Sequence, residues 1–146
     1  MSLLDRIFAK KKIAKEDQSK TVDNPKKDNL KTGQLGENLA KEFLKKKGYK
    51  IIDANYRTKL SEIDLIAQFK DIMVFIEVRT RTGDKFGMPE QSLIRKKINK
   101  VIKNAQMYMK YKGYTGRYRI DAVCVVLDNG KKLLRLNHYE NITMQM

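Results

Sequence analysis

Residues 61–81 read SEIDLIAQFKDIMVFIEVRTR, and the fold turns on how this stretch is read. Two runs rich in Ile, Leu, Val and Phe flank a polar break at Lys70-Asp71, the pattern of a β-hairpin. Side chains alternate faces along a strand. With Phe69 opposite Ile72 across the turn, Ile63 meets Val78, Leu65 meets Ile76 and Ala67 meets Val74, so one face is wholly apolar. A slip of one residue would send one strand's apolar set to the wrong side, which selects this register. On the other face Glu62 meets Arg79 and Asp64 meets Glu77. Like charges so placed destabilise a sheet by up to about 1 kcal/mol. A divalent cation would turn that repulsion into ligation, since carboxylate oxygens suit Mg²⁺ and Mn²⁺. The hairpin leaves two readings: a solvated face with Glu62–Arg79 as a surface ion pair, or a cation site at Asp64 and Glu77.

Composition narrows the chemistry around this hairpin. The chain has 146 residues, 41% of them hydrophobic, which suffices for one domain with a real core. Its formal net charge is +15, a field that favours a polyanionic partner, nucleic acid or an anionic membrane surface. The single cysteine, Cys124, lies in an apolar run and reads as a core residue. With His138 as the only histidine, a Ser-His-Asp or Cys-His nucleophilic site is a poor fit, so any chemistry falls to carboxylates and a metal. The first apolar cluster, Leu3, Leu4, Ile7 and Phe8, is too short for a signal sequence. No apolar run reaches membrane-spanning length. The expectation is a cytoplasmic protein.

Outward from the hairpin, residues 1–30 read as a basic tail too polar to build a core, and hence disordered. Leu3, Leu4, Ile7 and Phe8 have helical spacing, so this tail is either a short amphipathic helix touching a membrane or partner, or a frayed terminus. A helix is expected over 33–47, with Thr32 as N-cap, Gly48 as stop and Leu35, Leu39, Ala40, Phe43 and Leu44 as its apolar stripe. Glu37 falls at the margin of that stripe, as a first-turn acid complementing the helix dipole or as a carboxylate leaning into the packed partner. A strand follows over 49–56. After the hairpin, 82–89 is a loop with Gly83, Gly87 and Pro89, one wall of a cleft beside the carboxylates. A long helix is expected over 89–111, with Ile94, Ile98, Val101, Ile102, Ala105, Tyr108 and Met109 inward. Lys96, Lys100, Lys103 and Lys110 share the opposite arc, gripping phosphates or merely solvated. Lys97 sits on the rim, where it either snorkels or points at the carboxylate face. Strands over 117–127 and 131–138 meet at the Asn129-Gly130 turn. The order α-β-β-β-α-β-β makes an α/β protein with a mixed sheet flanked by helices.

GQLGENLAKEFLKKKGY, then Asn55 and Arg57, SEIDLIA, FIEVRTR, Phe86-Gly87, Lys97 and RIDAV at 119–123 together resemble the YraN-like family of small bacterial proteins. The resemblance runs from about 33 to 126 and leaves the basic tail outside. It implies a restriction-endonuclease-like fold over 31–146, similar to archaeal Holliday junction resolvases. Those nucleases carry an acid on one strand, acid-x-Lys on the next and a helical Glu nearby. Carried over, Asp64 is the first acid, Glu77 the second and Glu37 the helical acid, the three implied ligands of Mg²⁺ or Mn²⁺. Two positions depart from the pattern. Ser61 stands where the family usually has Gly, and Arg79 where the nucleases usually have Lys. Arg stays protonated and takes no proton from water, but it can stabilise charge developing on phosphate.

The first functional expectation is therefore a metal-dependent nuclease-like protein acting on phosphodiester bonds, branched DNA among its candidate substrates. Glu37, Asp64, Glu77, Arg79 and Lys97 would form its catalytic set, and Arg81, Lys96, Lys100 and Lys103 its nucleic-acid contacts. Junction-cleaving relatives act as two-fold dimers, which extends the expectation to a homodimer. The alternative is a non-catalytic nucleic-acid-binding protein on a nuclease-derived fold, and a third is membrane-surface attachment through the tail.

Overall fold

The computed structural model describes residues 25–83 and 87–145. The tail ahead of them, the amphipathic spacing at Leu3 to Phe8 and the Phe86 of the Phe86-Gly87 pair lie outside the described residues. Within them the order is α1 (Pro25–Lys46), β1 (Lys50–Arg57), β2 (Glu62–Phe69), β3 (Ile72–Thr82), a 3-10 turn (Pro89–Ser92), α2 (Arg95–Lys112), β4 (Tyr118–Leu127), β5 (Leu133–Tyr139) and a 3-10 turn (Ile142–Gln145). The fold is mixed α/β, in the expected element order. Its five strands lie in sequence order, antiparallel except for the central β3–β4 pair, which is parallel. A parallel pair needs a crossover connection, and α2 is part of it.

Each face of the sheet is covered by one helix. Leu39, Ala40 and Leu44 of α1 pack on Leu65, Ala67, Val74, Ile76, Val123 and Val125. On the other face Ile98, Val101, Ala105 and Tyr108 of α2 pack on Ile66, Phe75, Ile120 and Ala122. Phe75, at the centre, is fully buried between strands that are covered on both sides. That two-sided cover explains why the β2 and β3 runs read as nearly continuous apolar sequence.

Several boundaries differ from the sequence reading. α1 begins at Pro25, not at 33, so Thr32 lies inside the helix and does not cap it. Pro is well suited to a first helical turn, Asp28 is acidic in that turn and its carboxylate pairs with Lys131 of the β4–β5 turn at 2.6 Å. A polar, exposed stretch thus continues the helix by local geometry and one tertiary ion pair. The expected helix over 89–111 is instead a 3-10 turn followed by α2, because Ile94 is extended (φ −83, ψ 154) and caps α2 from outside. Ile94 is consequently 56% exposed and not part of the apolar arc. The chain after β5 does not trail off, since Ile142 of the last turn is buried against the α2-side cluster.

The hairpin register holds from Phe69–Ile72 to Leu65–Ile76 and then ends. β2 stays with β1 through Tyr56–Ile63 and Arg57–Glu62, while β3 runs on beside β4 to Thr82. Ile63 therefore joins the α2-side cluster and Val78 the α1-side cluster, and the two do not share one apolar face. Nor do Glu62 and Arg79 pair: Glu62 binds Arg57 at 3.1 Å and Arg79 binds Glu77 at 3.2 Å. The reason is local. The Asp64 carboxylate accepts the Val78 N–H at 2.7 Å, where a continuing ladder would have used a backbone carbonyl, so the buried donor is satisfied without a strand partner.

Candidate functional site

The parting of β2 from β3 creates the site. Glu77 projects from β3 on the α2 side and is 4% exposed. Its Oε1 forms ion pairs with Arg79 at 3.2 Å and with Lys97 at 3.3 Å. Its Oε2 is buried with no hydrogen-bond partner among the described residues. A buried carboxylate oxygen without a donor is costly. Lys97 takes the second of its two readings: its ammonium points at the carboxylate face.

Asp64, half-buried at the end of the paired stretch, is held by the Val78 N–H. Burial first, and then the charge of Glu77, push its carboxyl up to about 8; Glu37 and Glu62 add to the effect. Glu37 reaches the same region from α1. Burial raises its pKa too, followed by the charge of Glu62. The Asn55 amide, oriented by the hydrogen-bond network, donates to Glu62 at 2.7 Å and Glu37 at 3.2 Å. Asn55 has φ +53 in β1, a conformation that Asn tolerates better than most residues, and this turns it toward the acids. Four carboxylates thus influence one another across a gap in the sheet.

The two expected departures have local explanations. Ser61 accepts the Asn104 amide at 2.6 Å, and Thr58 donates to the same Asn104 at 2.5 Å. These bonds fix the β1–β2 loop to α2 beside the site. Arg79 sits against Glu77 with its Nε buried and unpartnered among the described residues, and so does the Nε of Arg81. Both arginines line a cavity of about 700 Å³, with Asn29, Thr32, Gly33 and Glu37 of α1 opposite and Val78, Thr80 and Thr82 of β3 beside them.

Gly36 explains how α1 comes so near. A Cβ at Gly36 would stand 1.8 Å from the Thr80 Oγ1 and 2.9 Å from its Cβ. Only a hydrogen lets the helix backbone lie on β3 and deliver Glu37, the next residue, to the acids.

Of the expected site residues, Glu37, Asp64, Glu77, Arg79 and Lys97 come together around this gap, and Arg81 lies one strand repeat further along. Lys96, Lys100 and Lys103 are on the exposed face of α2. The sequence reading gave no site role to Asn55, although an Asn beside a strand of acids was visible, or to Asp121. Asp121 is fully buried in β4 and accepts from Arg119 at 2.9 Å, His138 at 2.8 Å and the Asn141 N–H at 2.9 Å. His138 in turn meets Lys47 at 2.9 Å through Nδ1. An ammonium only donates, so Nδ1 accepts and Nε2 carries the proton that reaches Asp121. Asp121 points to the α1 side of the sheet, away from Glu77, and ties β4, β5 and the end of α1 together.

The implied metal can be tested against these donors. Among the described residues no group of three or more Asp, Glu, His or Cys side chains is placed to hold a metal ion. Mg²⁺, however, is commonly held by one or two carboxylates with waters and substrate phosphate completing its shell. The Asp64–Glu77 pair, with an orphaned Oε2, fits that open type of site, with Glu37 as its neighbour. No helix among the described residues is long and apolar enough to cross a membrane.

Comparison with known proteins agrees with the motif reading. The family described as "Uncharacterised protein family UPF0102" matches residues 36–125. A UPF0102 protein of Pelotomaculum thermopropionicum is 38% identical over 110 residues, 75% of this chain and 92% of the relative. One from Caldanaerobacter subterraneus subsp. tengcongensis is 43% identical over 121 residues, covering 80% and 98%. One from Fervidobacterium nodosum is 36% identical over 124 residues, covering 84% and 90%.

Proposed function

The chain belongs to UPF0102, and from that premise we propose that it is a metal-dependent, nuclease-like protein acting on nucleic-acid phosphodiester bonds. One observation carries the reading: in a protein of net charge +15, a buried carboxylate pair keeps an oxygen, Glu77 Oε2, free of any described partner. Asp64 and Glu77, with Glu37 beside them, are the residues that would hold Mg²⁺ or Mn²⁺. When bound, such an ion supplies positive charge to the scissile phosphate and lowers the pKa of water.

The chain's own residues supply the rest. Arg79 and Lys97 fix Glu77 through Oε1 and leave Oε2 open. The Val78 N–H fixes Asp64. The same guanidinium and ammonium are placed to offset charge that develops on phosphate. Arg79 is no base and the Lys97 ammonium only donates, so a proton taken from water goes to a carboxylate. The exposed lysines of α2 would hold the backbone without reading bases.

A second reading has its own observation. Two cations already neutralise one oxygen of Glu77, as they would in a purely structural ion cluster of a nucleic-acid-binding protein. One assay separates the two. Labelled branched, flap, single-stranded and linear DNA is incubated with Mg²⁺, Mn²⁺ or chelator, with wild type and Asp64→Ala in parallel. Metal-dependent cutting that disappears in Asp64→Ala is the expected result. Binding without cutting, equal or tighter in Asp64→Ala, would establish the non-catalytic reading.

A further inference from the structure

The cavity beside the acids has an unusual lining. Its positive groups are Arg79 and Arg81, one strand repeat apart on β3, and the Nε of each is buried without a partner among the described residues. Its remaining polar groups are neutral, Asn29 and Thr32 of α1 and the threonines of β3, apart from Glu37 at one end. Guanidinium groups match phosphate oxygens, to which Arg presents a planar fork. No aromatic side chain lines the space, so bases have nothing to stack on and recognition falls to phosphate and sugar.

Size and position narrow the occupant further. At about 700 Å³ the cavity has the scale of a small-molecule pocket and is recessed between a helix and a strand. A duplex, stiff over about 150 base pairs, cannot bend into it, whereas a flexible single strand can. The β3 edge that borders it has no β2 neighbour beyond Ile76. Glu37 and Arg79 belong both to this cavity and to the carboxylate group, so the cavity borders the acids through these two residues.

We propose that this cavity cradles the phosphate backbone of a single nucleic-acid strand and leads that strand to Asp64 and Glu77. The proposal rests on the phosphodiester reading above and specifies its substrate: a strand free of its complement, as in a flap, a gap or an opened branch. Arg81 is its positioning residue, gripping the phosphate next to the one that faces Arg79.

The test is fluorescence anisotropy of the full chain with labelled oligo(dT) in chelator. Competitors are unlabelled oligo(dT), a duplex of equal length and thymidine monophosphate. The strand is expected to compete at a concentration about tenfold below the duplex, the equivalent of one charge-assisted hydrogen bond, and further below the monophosphate. Arg81→Gln should erase this preference, and Arg81→Lys, which keeps the charge without the fork, should reduce it. Lys100→Gln should weaken strand and duplex in equal proportion. The proposal fails if oligo(dT) does not bind, if duplex or monophosphate competes as well as the strand, or if Arg81→Gln weakens strand and duplex alike. The wild-type comparison stands even where a variant folds poorly. Because the assay reads binding without metal, absence of cutting and absence of a strand cradle are separate results.

Discussion

Asp64 ties local geometry to a measurable pH dependence. Its carboxyl lies near 8 in the folded protein against an ordinary value of 3.8, chiefly through burial and then through Glu77. Below about pH 4 the group is protonated in both states and folding loses nothing. As pH rises toward 8 the unfolded chain releases this proton while the folded chain retains it, so stability falls across that window. At about 1.4 kcal/mol per unit, the loss is of order a few kcal/mol. Asp64→Asn keeps an acceptor for the Val78 N–H and removes the titration. Urea midpoints measured between pH 4 and 8 should therefore fall for wild type and stay flatter for Asp64→Asn, with the variant the more stable near pH 8. Parallel curves for the two proteins would mean that Asp64 is not the strained group. Glu37, raised in the same direction, leaves a smaller residual slope in the variant.

At the level of elements, the decisive feature is the packing of α1 against β3. Two glycines of α1 make opposite predictions. Gly36→Ala drives a methyl into the backbone-proximal atoms of Thr80, which rotation of Thr80 cannot relieve because its Cβ is itself too near. The helix must shift, at a cost of about 1–3 kcal/mol. Gly33 has nothing within 4 Å of an added Cβ, so Gly33→Ala gains helix propensity of about 0.5–1 kcal/mol. Chemical denaturation of both variants checks the pair. Equal effects of the two substitutions would contradict the close approach that brings Glu37 to the acids.

For the whole molecule, charge sets how it meets a partner. The formal net charge of +15 is spread over 32 Lys and Arg against 17 acids, and several of those acids are gathered in one gap in the sheet. Lys96, Lys100 and Lys103 present an exposed stripe on the same helix that carries Lys97. If they neutralise phosphates, replacing all three by Gln should lower the slope of log affinity against log salt by roughly 0.7–0.9 for each phosphate that is no longer neutralised. Titrations of labelled DNA at several salt concentrations measure it. An unchanged slope would mean that these three lysines neutralise no phosphates.

Much of this was written in the local sequence. Period-two alternation specified the β2–β3 hairpin and its register as far as Leu65–Ile76, and helical spacing specified the buried stripe of α1 and most of that of α2. The resemblance carried by GQLGENLAKEF, EIDLIA and FIEVR named Glu37, Asp64 and Glu77 as candidate site residues. Other features depended on groups distant in the chain. The ladder ends because one side chain, Asp64, satisfies one buried N–H, and alternation carries no trace of such an exchange. The start of α1 rests on an ion pair between Asp28 and Lys131, 103 positions apart. The burial of Asp121 with His138, the break at Ile94 and the turning of Asn55 toward the acids are likewise decided by packing. Local sequence determines which face of an element is apolar, because that follows from backbone periodicity. Which polar groups are left unpartnered in the interior is a property of the assembled fold, because solvent is excluded only when the layers meet.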